Sequence, residues 1–278
     1  MKNTLRTLVF NGQVSLTIAN TTGMVNDAIR YHMLSASSAK ILGKALSAMT
    51  FMSACLKNSK GEISLSVQNG GECGDIAVSG NKELHMRGYI GNPFAEGDEE
   101  NCFAENSALT IIRDDGYNRP FVGSCAWQTG GVDDSFEEYF HISEQLPTRI
   151  RTVVEIGENG QCNFAGVIAL QLLPFADEEA LAMTANTPLE EILQKLKTTP
   201  VERLVGDNFD ADISVWEGGL ALYQCNCSRE YLKKVLVTIG KADFNKIVEE
   251  DGAVKVHCHY CNSDYTFTKE DEEEIFGK

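Results

Sequence analysis

Four of the nine cysteines in this 278-residue chain stand in two tight pairs near its end, Cys225-Asn-Cys227 and Cys258-His-Tyr-Cys261, thirty residues apart. Two short chelating pairs joined by an intervening fold are how a chain builds a tetrahedral sulfur site, each pair giving two ligands at about 2.3 Å from one Zn2+. Whatever lies between the pairs must therefore fold so that they meet. The spacing predicts one zinc per chain, held by Cys225, Cys227, Cys258 and Cys261. His257 and His259 flank Cys258 and offer substitute ligands, but four thiolates already complete a tetrahedron. The single spacer residue of the first pair is unusual for a zinc ribbon.

Such a centre is either a fixed clamp or a redox switch. A bound zinc keeps four sulfurs as thiolates, the form that oxidants attack. Disulfide partners are already adjacent, Cys225 with Cys227 and Cys258 with Cys261. Structural zinc contributes about 10–16 kcal/mol to the folding of small zinc peptides. A core as small as residues 225–278 can build supplies roughly 3–5 kcal/mol. Loss of the metal is therefore expected to unfold this segment. The remaining cysteines, Cys55, Cys73, Cys102, Cys125 and Cys162, show no ligand spacing and read as buried inert thiols. Cys73, in a glycine-rich turn, is expected to be the most exposed of them.

Composition narrows the partners. Hydrophobic residues make up 43% of the chain, a globular proportion, and the net charge is −16. That charge repels phosphate backbones and anionic lipid, so neither nucleic acid nor membrane is expected as a partner. The N-terminus has no apolar stretch of signal-peptide length. The uncharged, apolar-leaning run of residues 45–56 is too short to span a bilayer and suits a buried helix. These features predict a cytoplasmic protein, in a compartment where paired cysteines are metal ligands or redox-active thiols rather than structural disulfides.

Along the chain, residues 1–20 alternate around Asn11-Gly12, a hairpin signal. Residues 24–57 read as helix, with Ser35 as an N-cap and many small residues that allow close packing. Short strands with turn punctuation follow over 61–175. Residues 176–224 hold three Lys/Arg against ten Asp/Glu. They carry two capping boxes, Thr187-Pro-Leu-Glu190 and Thr199-Pro-Val-Glu202, that start short helices at 188–197 and 200–205. Ile192, Leu193, Leu196, Leu204 and Val205 give these an apolar stripe that must lean on something. After Cys225, Ser228 caps a helix with Tyr231, Leu232, Val235, Leu236 and Ile239 on one side. A second helix ends near Gly252, strands flank Cys258 and Cys261, and a last helix covers the acidic tail.

The expected fold is α+β. Residues 1–175 form an N-terminal core domain of mixed, mostly antiparallel sheet around a buried central helix. Residues 176–224 form an acidic helical linker, and residues 225–278 a small four-cysteine zinc domain acting as a redox switch. Common enzyme motifs are absent: no Gly-x-Ser-x-Gly, no phosphate-binding loop, no His-Glu-x-x-His. His141 lies near carboxylates but has no nucleophile paired with it in sequence, so it reads as structural and no catalytic residue is assigned.

Several motifs resemble those of the heat shock protein 33 family, the redox-regulated 33 kDa chaperonins. Tyr139-Phe-x-x-Ser143-Glu144-Gln145-x-Pro147-Thr148 is similar to the family's most characteristic core motif. His32-Met-Leu-Ser35, Leu42-Gly-Lys-Ala-Leu46, Arg87-Gly-Tyr89 and Gln171-Leu-Leu-Pro174 also resemble its core domain. Cys225-Asn-Cys-Ser228 and Cys258-His-Tyr-Cys-Asn262, with Tyr265 and Phe267, resemble its zinc module. Departures are Lys44, where an arginine is common, and Cys73, in a turn that usually lacks a thiol. The resemblance implies an ATP-independent holdase, not an enzyme, inactive when reduced and zinc-bound. On oxidation two disulfides form, zinc leaves, the linker unfolds, the protein dimerises, and exposed surface holds unfolding client proteins.

Two other classes compete. A thiol–disulfide oxidoreductase would use Cys258 and Cys261, but wants its Cys-x-x-Cys at a helix start. A nucleic-acid- or ribosome-associated zinc ribbon should be basic, whereas residues 225–278 carry eight Lys/Arg against eleven Asp/Glu.

Overall fold

The computed structural model describes residues 2–277, with the side chains of residues 212–216 outside that description. The chain divides into two compact units, Met1–Gln224 and Cys225–Lys278.

The first unit is organised around one helix. Strands β1 (Thr4–Val9) and β2 (Val14–Asn20) form the expected hairpin, and Asn11 and Gly12 take the positive φ values that its loop requires. Helix α1 (Thr22–His32) ends at Met33, and α2 (Ala36–Ala54) begins behind Ser35, whose hydroxyl accepts a hydrogen bond from the Ser38 amide. The single helix read over 24–57 is thus two helices, broken where Met33 turns left-handed.

Helix α2 is buried along nearly its whole length, because it packs against strands of both sheets. Small residues permit this. At Gly43 a Cβ would meet the Val25 and Val154 side chains at 3.0 Å. The helix's hydroxyls are satisfied internally, Ser47 by Thr21 and the Gly43 carbonyl, Thr50 by the Leu46 carbonyl.

One sheet has the order β11-β5-β4-β3-β6-β7, from β3 (Glu62–Gln68), β4 (Ile76–Asn81), β5 (His85–Ile90), β6 (Ala108–Asp114), β7 (Phe121–Ala126) and the short β11 (Leu222–Tyr223). Helix α3 (Val132–Tyr139) continues into a π-helical turn, Phe140–Glu144. The other sheet has the order β10-β1-β2-β9-β8, with β8 (Thr148–Ile156), β9 (Cys162–Leu172) and β10 (Ala211–Gly219). All pairings are antiparallel except β11 with β5.

The five-stranded sheet is covered on both faces. Ser15 and Thr17 look like the solvent side of an alternating strand, yet both are fully buried. Ala19 on that face joins the cluster around α2. The opposite face, with Val14, Leu16, Ile18, Ile168 and Leu170, packs under the segment that follows β9.

That segment holds three helices, α4 (Glu178–Asn186), α5 (Leu189–Lys195) and α6 (Val201–Asn208), then β10. Leu189, Ile192, Leu193, Leu196, Val201, Leu204 and Val205 are buried against the sheet, so the support the stripe needs is the first unit's own strands. Arg149 on β8 fastens α4, its guanidinium donating to the carbonyls of Thr184 (2.5 Å), Ala185 (2.9 Å) and Thr187 (3.0 Å). Lys197 pairs with Glu155 at 2.6 Å.

The two capping boxes do not form. Pro188 and Pro200 themselves occupy the cap positions, with no side-chain cap, and the Thr187 hydroxyl turns back to the Met183 carbonyl. Helix α4 and strand β10 are further differences from an expectation of two short helices alone. Tyr223 closes the unit: its hydroxyl donates to the Gly88 carbonyl at 2.6 Å and lies 3.0 Å from His32 Nε2.

The second unit contains α7 (Arg229–Ile239), α8 (Lys241–Asp251), the hairpin of β12 (Val254–Cys258) and β13 (Ser263–Phe267), and a short closing helix α9 (Glu272–Phe276). Its buried apolar core is Leu232, Leu236, Phe244, Val254, Phe267 and Ile275. The stripe read on α7 is narrower than expected, since Tyr231, Val235 and Ile239 remain exposed.

Candidate metal centre

Local chemistry brings the four thiols together. Cys225 and Cys227 lie in the extended stretch that runs into α7, where the Ser228 hydroxyl accepts from the Tyr231 amide at 3.1 Å and fixes the start of the helix. Cys258 ends β12. Asn262 turns left-handed (φ 55°) and donates its amide to the Cys258 carbonyl at 2.8 Å, closing a tight turn that presents Cys261 beside Cys258. Arg229 ties the two halves: it bonds the Thr266 carbonyl at 2.8 Å and Asp271 at 2.6 Å, and stacks 4.5 Å from the Phe267 ring centre.

The result is a cluster in which all four Sγ atoms lie within 4.8 Å of one another. Cys225 and Cys258 sulfurs are 3.6 Å apart, and those of Cys227 and Cys261 are 3.2 Å apart. A tetrahedron with metal–sulfur bonds of about 2.3 Å has edges of about 3.8 Å. The four-cysteine cluster therefore can hold a metal ion, and its donor set suits zinc.

Electrostatics point the same way. Burial pushes the Cys225 thiol well above its ordinary range, and the neighbouring Cys258 thiol adds to that. A thiolate there needs a compensating cation, and a metal at the centre of four sulfurs deprotonates such groups outright. The flanking histidines are directed elsewhere. His257 Nδ1 lies 2.8 Å from Asp264, and His259 stacks edge-on to His257 with ring centres 4.9 Å apart.

Two neighbours approach the sulfurs directly: Tyr265, known from the sequence only as part of the module's motif, and Ser263, not singled out there. The Tyr265 hydroxyl is 3.3 Å from Cys227 Sγ, and the Ser263 hydroxyl is 3.3 Å from Cys261 Sγ. The phenol pKa is pushed up to about 12, chiefly by its bond to Cys227, so the phenol stays a donor toward the sulfur. Their signal was the two-residue period of β13, which sets Ser263, Tyr265 and Phe267 on one face.

Outside this centre the expected inert cysteines are confirmed as buried, with two corrections. Cys73 is fully buried rather than exposed, and Cys55 is the only one of the five that is partly open. His141 is exposed on the π-helical turn.

The family model described as "Hsp33 protein" matches residues 3–268. The chain belongs to the Hsp33 family. Among curated Hsp33 relatives, the 33 kDa chaperonin of Clostridium novyi is 30% identical over 284 residues, covering 98% of this chain and 96% of its own. That of Bacillus cereus strain AH187 is 32% identical, covering 96% of each chain. A solved Hsp33 structure, the 33 kDa chaperonin of Thermotoga maritima, shares the fold with a TM-score of 0.83 at 24% identity, covering 99% of this chain and 97% of that one. No described helix is long and apolar enough to cross a membrane.

Proposed function

We propose that this chain is a redox-regulated, ATP-independent holdase of the cytoplasm, silent while reduced and switched on by oxidation of its four-thiol centre. The observation that carries this reading is the convergence of Cys225, Cys227, Cys258 and Cys261 in a module whose apolar core is six side chains. When bound, zinc would hold the sulfurs as thiolates and clamp the two turns. Oxidation removes thiolates in pairs, Cys225 with Cys227 and Cys258 with Cys261, and leaves too few ligands for a closed site. In the reduced fold the shortest sulfur contacts run between the pairs. Local pairing is favoured once the module loosens, because adjacent partners have the lowest loop-closure cost.

The client surface follows from the first unit. Helices α4–α6 cover the apolar face of β2 and β9, so their release would uncover Leu16, Ile18, Ile168 and Leu170 together with the helices' own stripe. Activated chains, presenting such faces, would dimerise. An oxidoreductase reading is disfavoured by context: Cys258-His-Tyr-Cys261 sits in a β-hairpin turn, not at a helix N-terminus that would lower a thiol pKa. The net charge argues against nucleic acid as partner.

The deciding experiment compares reduced, zinc-loaded protein with peroxide-treated protein on a thermally unfolding client. Suppressed aggregation after oxidation only is expected. Equal suppression by both forms, or by a Cys225→Ser/Cys258→Ser variant that still retains its zinc, defeats the proposal. Amide exchange over residues 176–224 should rise in the oxidised form. If it stays protected while activity appears, the client site lies elsewhere on the first unit.

A further inference from the structure

Two of the buried cysteines of the first unit lie side by side on loops that are distant in sequence. Cys73 and Cys102 are both fully buried in the cluster around α2. The Cys73 amide donates to the Cys102 carbonyl at 3.3 Å, and burial, helped by the neighbouring Cys102 thiol, pushes the Cys73 thiol above its ordinary range. The Cys102 thiol in turn points to the Gly97 carbonyl at 3.4 Å. This direct bond brings the two backbones together, and a disulfide needs Cα atoms within about 4.4–6.8 Å of one another.

The juxtaposition is built by other groups. The buried Asn69 side chain donates to the Cys102 carbonyl at 3.1 Å and the Gly74 carbonyl at 3.2 Å. Its oxygen accepts from Gly71 (2.8 Å), Ala104 (2.9 Å) and the Ser107 hydroxyl (2.9 Å). One amide thus ties the loop after β3 to the loop before β6, and holds Cys73 and Cys102 in register whether or not their sulfurs react.

We propose that Cys73 and Cys102 form a second, slower dithiol–disulfide site in the first unit, independent of the four-thiol centre. With hydrogen peroxide as oxidant, one thiolate attacks a peroxide oxygen, the O–O bond breaks, and a sulfenic acid and hydroxide result. The second sulfur then attacks the sulfenic sulfur, the S–O bond breaks, water leaves and the S–S bond forms. The two sulfurs supply two electrons to the peroxide, and the two thiol protons end in water. Burial, the neighbouring thiol and nearby Glu72 all disfavour the thiolate at Cys73, so reaction awaits opening of the loop. The bond would close a loop of about thirty residues around β4 and β5. Oxidation would therefore loosen the second unit and residues 176–224 while bracing the loops around β4 and β5.

The test treats the reduced, zinc-loaded full chain with hydrogen peroxide, and separately with diamide, at rising temperature, followed by alkylation and peptide mapping. A Cys73–Cys102 crosslink is expected, forming at least about tenfold more slowly than the zinc-centre thiols are lost. It should be absent in Cys73→Ser and in Cys102→Ser, with zinc release unchanged in whichever variant folds, and amide protection over residues 76–90 should rise only in the wild type. Cys73 and Cys102 recovered separately, alkylated or overoxidised, after the four C-terminal thiols are fully oxidised would overturn the proposal. That result leaves the holdase reading untouched, because zinc release and client protection are read separately.

Discussion

Two units of one chain are held together by different means. Residues Cys225–Lys278 rest on six buried apolar side chains and a cluster of four sulfurs. The first unit instead surrounds a helix buried along nearly its whole length with two sheets, and buries a further apolar layer beneath α4–α6. Its five cysteines are spread through packed interior, where burial raises the thiols of Cys55, Cys73, Cys125 and Cys162 above their ordinary range. The same residue type is buried among packed side chains in one unit and scaffold in the other. What decides is whether enough carbon surrounds the sulfur to hold the fold without it.

Metal removal is the strongest way to break this comparison. Structural zinc is worth about 10–16 kcal/mol in small modules, more than such a core supplies. Chelation should abolish amide protection in α7, α8 and the β12–β13 hairpin while the central strands of the first unit stay protected. Persistence of α7 in the apo form would mean that the second unit folds on its carbon alone.

Single core deletions sharpen it next. Phe136→Ala should cost the first unit about 3–5 kcal/mol, read as a lower denaturant midpoint. Phe267→Ala, equally buried, should leave the zinc-loaded second unit folded and reveal its cost only on chelation. Loss of the metal from Phe267→Ala without chelator would show the two contributions to be inseparable.

Smaller still, Arg149→Ala removes a charged donor from three carbonyls at the end of α4. It should destabilise that helix locally by about 2 kcal/mol, seen as faster exchange over residues 178–187 and little change in global melting.

The smallest effect is a pH dependence. Burial raises the Asp133 carboxyl from 3.8 to about 6, against the opposing bonds from Thr152 and the Lys44 charge, with Glu99 raising it further. A carboxyl raised in the fold contributes stability that is complete below its unfolded pKa and is lost as pH rises through about 6. The first unit should therefore lose about 1–2 kcal/mol between about pH 4 and pH 6.5, an upper shift discounted for partial exposure. Asp133→Asn should flatten that slope in urea melts taken across the window.

Much of the second unit could be read in the sequence, because its determinants are local. Ser228, Gly240 and Gly252 bound α7 and α8 where they stand, and the cysteine spacing fixed which sulfurs meet. In the first unit the α2 cap at Ser35 and the β1–β2 hairpin were local too. What sequence reasoning missed was set by distant partners. The alternation over 14–18 does not tell that Ser15 and Thr17 are buried, because the helix α2 that packs on β2 is distant in sequence. Thr187 and Thr199 had capping-box spacing, but the proline after each took the cap position. Strand β10 was lost in an acidic, helix-rich stretch, though Ile213 and Val215 alternate with polar neighbours, because its partner is strand β1 at the other end of the unit.

That last pairing has a consequence for the newborn chain. Strand β1 emerges first and takes β2 at once, but its other edge stays open until β10 has been made. With Val9 and Ala211 paired, some two hundred residues intervene. At about 5–20 residues per second this leaves a bare strand edge on the ribosome for roughly 10–40 s. An exposed edge of that kind is a template for pairing with other chains. A protein proposed to guard others against aggregation would itself pass through an interval of vulnerability, and shortening it by moving β10 next to β1 in a circular permutant should raise the soluble yield.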